Sequence, residues 1–328
     1  MNVIAEYGND DIAKVYIASM REGPSSDKFL VEFVESVQPP IPREKKWVLI
    51  VSPMFGCPIK CRMCDAGGSY GGKLTTDEIL SQVDYLVRRR YPDGKVPVSK
   101  LKIQFARMGE PSLNPSVLDA MKRLPTEYDA PGLNVSVSSV APKSPTATKF
   151  FEELVKIKEQ LYPGGRFQLQ FSIHTTDEAR RDDLIPTRKW SFSEIASYGK
   201  RFARPESGDK KVTLNFAPVE GFPIDPSVMR KHFDPERFLI KLTPLNPTVR
   251  SKEQSLASAI NPHDNSSSEG LVKAFQDEGF EVVLSIGELE ENRIGSNCGQ
   301  YIQRALHARE RPRASYDLER YLVRSENP

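Results

Sequence analysis

Cysteines 57, 61 and 64 are the residues whose type and spacing say most about chemistry. They stand in Gly56-Cys57-Pro58-Ile59-Lys60-Cys61-Arg62-Met63-Cys64, a C-x3-C-x2-C run that holds three of the chain's four cysteines. Three thiolates on one tight loop can hold three corners of a 4Fe–4S cluster and leave the fourth iron without a protein ligand from the loop. Such an open iron can take the amino and carboxylate groups of S-adenosylmethionine (SAM), and reduction of the cluster then splits the sulfonium to a 5′-deoxyadenosyl radical. The rival is a structural zinc site with Cys298 or a histidine as fourth ligand. Zinc sites usually show two separated ligand pairs, and no second pair stands in this sequence. A disulfide within the run fits poorly because the spacing is too tight.

The rest of the chain must supply elements that present this loop. Its 328 residues suffice for one α/β barrel-sized domain plus a small appendage. Hydrophobic content of 38% and charged content of 27% are those of an ordinary soluble globular protein. There is no apolar run of membrane-spanning length and no secretory signal pattern, so the expected location is the cytoplasm, with no membrane partner. A net charge of +2 neither demands nor excludes a nucleic-acid partner.

Residues 1–45 read as a small leader with short strands at Ile12 to Met20 and Phe29 to Val37, closed by a Pro39-Pro40-Ile41-Pro42 linker. Trp47 to Val51 is a continuous apolar run, as in a buried parallel strand, and the cysteine loop follows it. Residues Ala66 to Gly72 read as a flexible glycine-rich segment. Thr75-Thr76-Asp77-Glu78 is a capping box that opens a helix ending at Arg88-Arg89-Arg90. Strand and helix patterns then alternate. Strands are expected at Leu101 to Phe105, Leu133 to Val140, Phe167 to His174, Val212 to Ala217, Phe238 to Leu242 and Glu281 to Ile286. Helices are expected at Pro115 to Leu124, Thr146 to Leu161, Ser191 to Phe202, Ser227 to Phe233 and Ser268 to Glu278. Residues 248–268 read as a long polar loop, and a last helix begins at Tyr301.

This alternation implies parallel strands with right-handed crossovers. The expected fold class is α/β, a partial (β/α)6 TIM-type barrel. The division is a small N-terminal extension over 1–45, the barrel over 46–308, and a charged C-terminal tail over 309–328. No G-x-G-x-x-G follows the first strand, which weighs against an open dinucleotide-binding sheet. Barrel chemistry sits at the carboxyl ends of the strands. Besides the cysteines, the polar residues there are Gly109-Glu110, Ser136 with Ser138, Ser172 with His174, and Asn246.

Six stretches together resemble the RlmN/Cfr radical SAM RNA adenine methyltransferases, from about residue 28 to about residue 308. They are the cysteine loop with Gly72 to Ile79, Met108-Gly109-Glu110-Pro111-Ser112-Leu113-Asn114, Ser136 to Pro142, Phe171-Ser172-Ile173-His174 followed by Arg180 and Ile185-Pro186, Leu242 to Pro247, and Asn297-Cys298-Gly299-Gln300. The resemblance implies a radical SAM barrel in which Cys57, Cys61 and Cys64 ligate the 4Fe–4S cluster. Gly109, Glu110, Ser136, Ser172, His174 and Asn246 would hold SAM. It also implies that Cys298 is methylated by one SAM. A radical made from a second SAM would activate that methyl group, which is then transferred to C-2 or C-8 of an adenine in rRNA or tRNA. An electron donor such as flavodoxin or ferredoxin is implied too.

Two departures from the family's pattern stand out. The family places a second thiol seven residues before the first cluster cysteine, where this chain has Ile50. The family's glutamate base falls at Glu32, with Glu35 as competitor, in a leader about half the family's usual length. Alternative readings are a radical SAM enzyme acting on a peptide or small molecule, and a degenerate RNA- or partner-binding paralogue.

Overall fold

The computed structural model describes residues 1–23, 26–264, 266–286, 291, 294–296 and 302. Three antiparallel strands come first: β1 (Asn2–Gly8), β2 (Ala13–Ser19) and β3 (Leu30–Ser36). Then follow β4 (Trp47–Val51), a hairpin of β5 (Met54–Gly56) and β6 (Tyr70–Lys73), and helix α1 (Thr76–Arg90). The repeating part runs β7 (Leu101–Phe105), α2 (Ser116–Glu127), β8 (Leu133–Ser139), α3 (Pro145–Leu161) and β9 (Phe167–Ser172). It continues with α4 (Glu178–Leu184), α5 (Phe192–Phe202), β10 (Val212–Phe216), α6 (Pro226–His232) and β11 (Phe238–Leu242). Last come α7 (Val249–Glu253), α8 (Ser266–Asp277) and β12 (Val282–Leu284).

Among the described residues, one sheet runs β1-β2-β3-β4-β7-β8-β9-β10-β11-β12. From β4 to β12 every neighbouring pair is parallel, which makes the partial barrel. The leader's strands do not stand apart. β3 pairs antiparallel with β4, Val34 opposite Ile50, so the leader continues the barrel's sheet. Residues 39–42, expected as a linker, make the turn between β3 and β4, with Ile41 N–H donating to the Gln38 carbonyl at 2.8 Å.

Alternation along the strands sorts the two faces. Leu101, Ile103 and Phe105 of β7, Leu133, Val135 and Val137 of β8, and Phe167, Leu169 and Phe171 of β9 join the main core beneath the helices. The intervening Gln104, Ser136, Gln168, Gln170 and Ser172 face the barrel interior, which is therefore polar. Both α1 and α5 open with the full capping box, Thr75 with Glu78 and Ser191 with Glu194.

Three local expectations change. The glycine-rich segment is not a free connector, because Tyr70–Lys73 pairs with Met54–Gly56 and closes the cysteine loop into a hairpin. Residues 248–268 contain α7 and the first turn of α8. β1 was not expected at all, since its mixed residues carry weak alternation. The helix from Tyr301 and the tail from Arg309 lie outside the described residues, apart from Ile302. No helix among the described residues is long and apolar enough to cross a membrane.

Candidate active site

The hairpin sets the cysteine loop. Gly56 ends β5 in the left-handed region, φ +73°, and a Cβ there would lie 1.7 Å from the Ser69 carbonyl oxygen. The Cys57 N–H donates to that same oxygen at 3.1 Å. Gly56→Ala is therefore expected to force the loop open. Iron bound per chain after anaerobic reconstitution should fall well below that of the parent, and equal iron content would show that the loop tolerates the side chain.

Ile59 and Met63 seat the loop on an apolar bed of Val140, Leu184, Ile185, Ala217, Val219 and Leu245. Most of these follow directly after β8, β10 and β11, so the loop caps the carboxyl end of the barrel, as expected. The Arg62 N–H donates to the Leu184 carbonyl at 3.0 Å, and Thr248 Oγ1 donates to the Met63 carbonyl at 2.8 Å. Asp65 Oδ1 accepts from the Arg250 N–H at 3.0 Å, which ties α7 to the loop.

The thiols of Cys57, Cys61 and Cys64 are each partly buried. Burial, then the neighbouring Cys64, pushes the Cys57 thiol up to about 12. Burial also pushes Cys61 well above the usual range, followed by Cys64, Cys57 and Glu110. Thiolates crowded on an apolar bed need a cationic partner to ionise. A soft all-sulfur donor set of this kind fits an iron–sulfur cluster, in which each thiolate meets a different iron. Among the described residues, no group of three His, Cys, Asp or Glu could hold a single metal ion.

Glu110 follows β7 and is buried. Its Oε1 accepts from Ser112 N–H (3.0 Å), Ser112 Oγ (2.7 Å) and Ser139 Oγ (2.6 Å), and its Oε2 from Val140 N–H (2.9 Å). Burial raises its pKa against the opposing pull of those donors. Gly109 precedes it at φ +109°, where a Cβ would lie 2.5 Å from the Met54 Cβ, so β5 can lie directly over the end of β7. The Glu110 partner Ser139 escaped the sequence reading, which singled out Ser136 and Ser138 on the other face of β8.

Ser136 and Ser172 face the barrel interior, Ser172 in register with Asn215 of β10. His174 is buried at φ +68°. Its Nδ1 accepts from the Ala217 N–H at 3.0 Å, so the neutral ring carries its proton on Nε2. Burial, with Arg181 nearby, holds its pKa down at about 3, so it stays neutral at physiological pH. Asn246, after β11, accepts at its carbonyl from Thr248 N–H (2.8 Å) and Ser251 Oγ (3.2 Å). The buried arginine of this region is Arg181, not the neighbouring Arg180 singled out in the sequence. Arg181 donates to the carbonyls of Ser172 (2.9 Å) and Trp190 (2.9 Å) and ties β9 to the following turn. Arg180 is exposed over the Phe222 ring.

Strand parity separates the two glutamates of β3. Glu35 faces α1, where it accepts from Tyr16 OH (2.7 Å), Trp47 Nε1 (3.0 Å) and Arg90 Nε (2.8 Å). Glu32 faces the other way and is fully buried. Its Oε2 pairs with Arg107 Nη2 at 2.7 Å, and its Oε1 accepts from the Ile302 N–H at 2.7 Å. Arg107 also donates to the carbonyls of Gly295 (2.7 Å) and Ser296 (3.0 Å). The pair thus grips the chain on both sides of residues 297–301. Cys298 itself lies outside the described residues. Ile50 packs on the small cluster that contains Met108, Ile294 and Ile302. Nothing in the sequence singled out Arg107, whose partners are remote in the chain.

No family model matches the chain. It is 25% identical to the dual-specificity RNA methyltransferase RlmN of Wolinella succinogenes, over 90% of this chain and 82% of that protein. It is 24% identical to a protein from Streptomyces griseus described as "Probable dual-specificity RNA methyltransferase RlmN", over 89% of this chain and 74% of that protein. The fold matches the crystal structure of a radical SAM methyltransferase from Sphaerobacter thermophilus with a TM-score of 0.68 at 20% identity, over 91% of this chain and 80% of that one. The family resemblance read from the six motifs and the α/β partial-barrel fold are both upheld.

Proposed function

We propose that this chain, a relative of the RlmN-type radical SAM methyltransferases along most of its length, is a radical SAM enzyme that methylates an sp2 carbon of adenine in RNA through Cys298. The observation that carries the reading is the seating of the three-cysteine loop on Val140, Ala217 and Leu245 at the carboxyl end of a barrel with a polar interior, where Val140 also holds the Glu110 carboxylate.

Cys57, Cys61 and Cys64 would hold the 4Fe–4S cluster. Gly109, Glu110, Ser136, Ser172, His174 and Asn246 would hold SAM. When bound, cluster and SAM supply one-electron reductive cleavage of the sulfonium. Four donors hold the Glu110 carboxylate still, and Oε2, with one donor, keeps acceptor capacity for an ammonium group. His174, fixed by Ala217, offers a neutral N–H donor rather than a charge. Glu32 has both oxygens engaged, so we assign it to positioning residues 295–302 through Arg107, with proton transfer open to it only if that pair separates. The substrate reading is an adenine of rRNA or tRNA in the cytoplasm, with electrons from a flavodoxin- or ferredoxin-type donor.

One feature favours a second reading, a radical SAM enzyme with a peptide or small-molecule substrate. Ile50 places hydrocarbon against the cluster that holds Ile294 and Ile302, where the family's pattern has a thiol. Peptide mass spectrometry separates the two readings. After incubation with SAM, the peptide bearing Cys298 is expected to carry S-methylcysteine, and Cys298→Ala should still cleave SAM while methylating no RNA. An unmodified Cys298, with full RNA methylation by the alanine variant, would remove the residue from the reaction.

A further inference from the structure

Lysines gather at the end of the barrel away from the cysteine loop. Lys46 immediately precedes β4, and Lys100 immediately precedes β7. The Trp47 N–H donates to the Lys100 carbonyl at 3.0 Å, so the two strand starts lie side by side. Lys102 alternates with Leu101 and Ile103 of the core and so faces the interior, in register between Val48 and Asn134. Lys210, just before β10, donates from Nζ to Asn134 Oδ1 at 3.3 Å. Lys241 lies on the inner face of β11, between core residues Ile240 and Leu242. All five are half-buried.

We propose that this end of the barrel interior binds a small phosphate-bearing dianion or polyanion through Lys46, Lys100, Lys102 and Lys210, with Lys241 facing them. Ammonium groups drawn from four strands of one barrel end repel one another, and partial burial strengthens the repulsion. The charged neighbours that act most on Lys102 are all lysines: Lys241, Lys100, Lys210 and Lys46. Burial and then those neighbours hold Lys102 down at about 7 and, through Lys100 and Lys46, Lys210 at about 8. Among the described residues at this edge, the Glu281 carboxylate is 3.5 Å from a different lysine, Lys211, and that of Asp209 pairs with Lys158. Lys46 Nζ also donates to Gln38 Oε1, a neutral acceptor like Asn134 Oδ1, so neither bond offsets charge. A multiply charged oxyanion relieves the repulsion, and lysine serves phosphate as a compact point charge. Half-burial inside a curved sheet excludes a duplex and suits a compact ligand. Lys46, Lys100, Lys102 and Lys210 lie at the starts of their strands, outside the site at the carboxyl ends, so the inference stands apart from the proposed methyl transfer; Lys241 stands higher, in register with Asn215.

Calorimetric titration of the full chain with inorganic pyrophosphate tests it. One pyrophosphate per chain is expected to bind, at least about tenfold more weakly to Lys102→Met and to Lys100→Met, and to weaken as salt rises. Pyrophosphate should raise the Tm of the parent and leave that of Lys102→Met unchanged. The ligand-free methionine variants should melt no lower than the parent, because removing a charge relieves repulsion and keeps the hydrocarbon stem. A nucleoside diphosphate arm identifies the source. Tighter Lys102-dependent binding than pyrophosphate points to a nucleotide, and equal binding points to free diphosphate. Absence of pyrophosphate binding, affinity unchanged in both methionine variants, or Lys102-dependent binding of a short oligoribonucleotide alone would each overturn the proposal.

Discussion

Arg107→Leu is expected to destabilise the protein by about 3–5 kcal/mol, because it leaves Glu32 as an unpaired charge in a fully buried place. Whole domains hold only about 5–15 kcal/mol, so the drop in Tm should be on the order of 10 °C. The loss has two sources. Glu32 loses the 2.7 Å ion pair, and the carbonyls of Gly295 and Ser296 lose their guanidinium donors. Glu32→Leu on top of Arg107→Leu should recover part of the stability, since it removes the orphan charge. The cycle measures the coupling between the two residues. Iron content should stay near that of the parent, because the described side-chain partners of Arg107 are Glu32, Gly295 and Ser296, outside the cysteine loop. A single variant within about 1 kcal/mol of the parent, or simple additivity of the two changes, would mean that the pair does not hold the two segments together.

The second large effect concerns release of product under the proposed methyl transfer. Once the Cys298 methylene radical has bonded to an adenine carbon, and that carbon has lost its hydrogen as a proton with one electron returned to the electron donor, a thioether joins enzyme and RNA. Attack on the Cys298 sulfur by a thiolate breaks the sulfur–methylene bond. The electron pair stays with the methylene carbon, which takes a proton and becomes the methyl group, while the two sulfurs remain as a disulfide. Ile50 cannot make that attack, and it packs beside the residues that flank Cys298 in sequence. A covalent protein–RNA adduct is therefore expected to accumulate in the purified enzyme, and small thiols should release it. Ile50→Cys should release it at least about tenfold faster than millimolar external thiol, because an adjacent nucleophile carries a large effective molarity. Denaturing gels and intact mass would follow the adduct. Multiple turnovers with neither thiol nor adduct would show that transfer does not pass through a thioether on Cys298.

Much of this was legible in the residues because it is local. The C-x3-C-x2-C spacing, the capping box at Thr75 and Glu78, and the period-two pattern of β7 to β9 each depend on neighbours in sequence. What escaped depends on contacts between remote segments. The glycine-rich run read as a connector because its pairing partner, Met54–Gly56, lies before the cysteines. Ser139 joins Ser112 at the Glu110 carboxylate because β8 ends with that side chain turned toward the end of β7. The choice between Glu32 and Glu35 needed the partners that meet each face of β3, Arg107 at Glu32 and Arg90 at Glu35. Arg107 finds Glu32 75 residues away and the carbonyls of residues 295 and 296 farther still, which no local pattern can announce.

Under the proposed function, Cys57, Cys61 and Cys64 hold a cluster that cleaves SAM. Anaerobic reconstitution with iron and sulfide, followed by dithionite and SAM, tests it in one experiment. The account predicts about four irons and four sulfides per chain. It also predicts 5′-deoxyadenosine formed from SAM, and loss of both when any one of the three cysteines becomes alanine. Stoichiometric zinc, no cluster and no 5′-deoxyadenosine would contradict it and restore the structural-zinc reading of the loop.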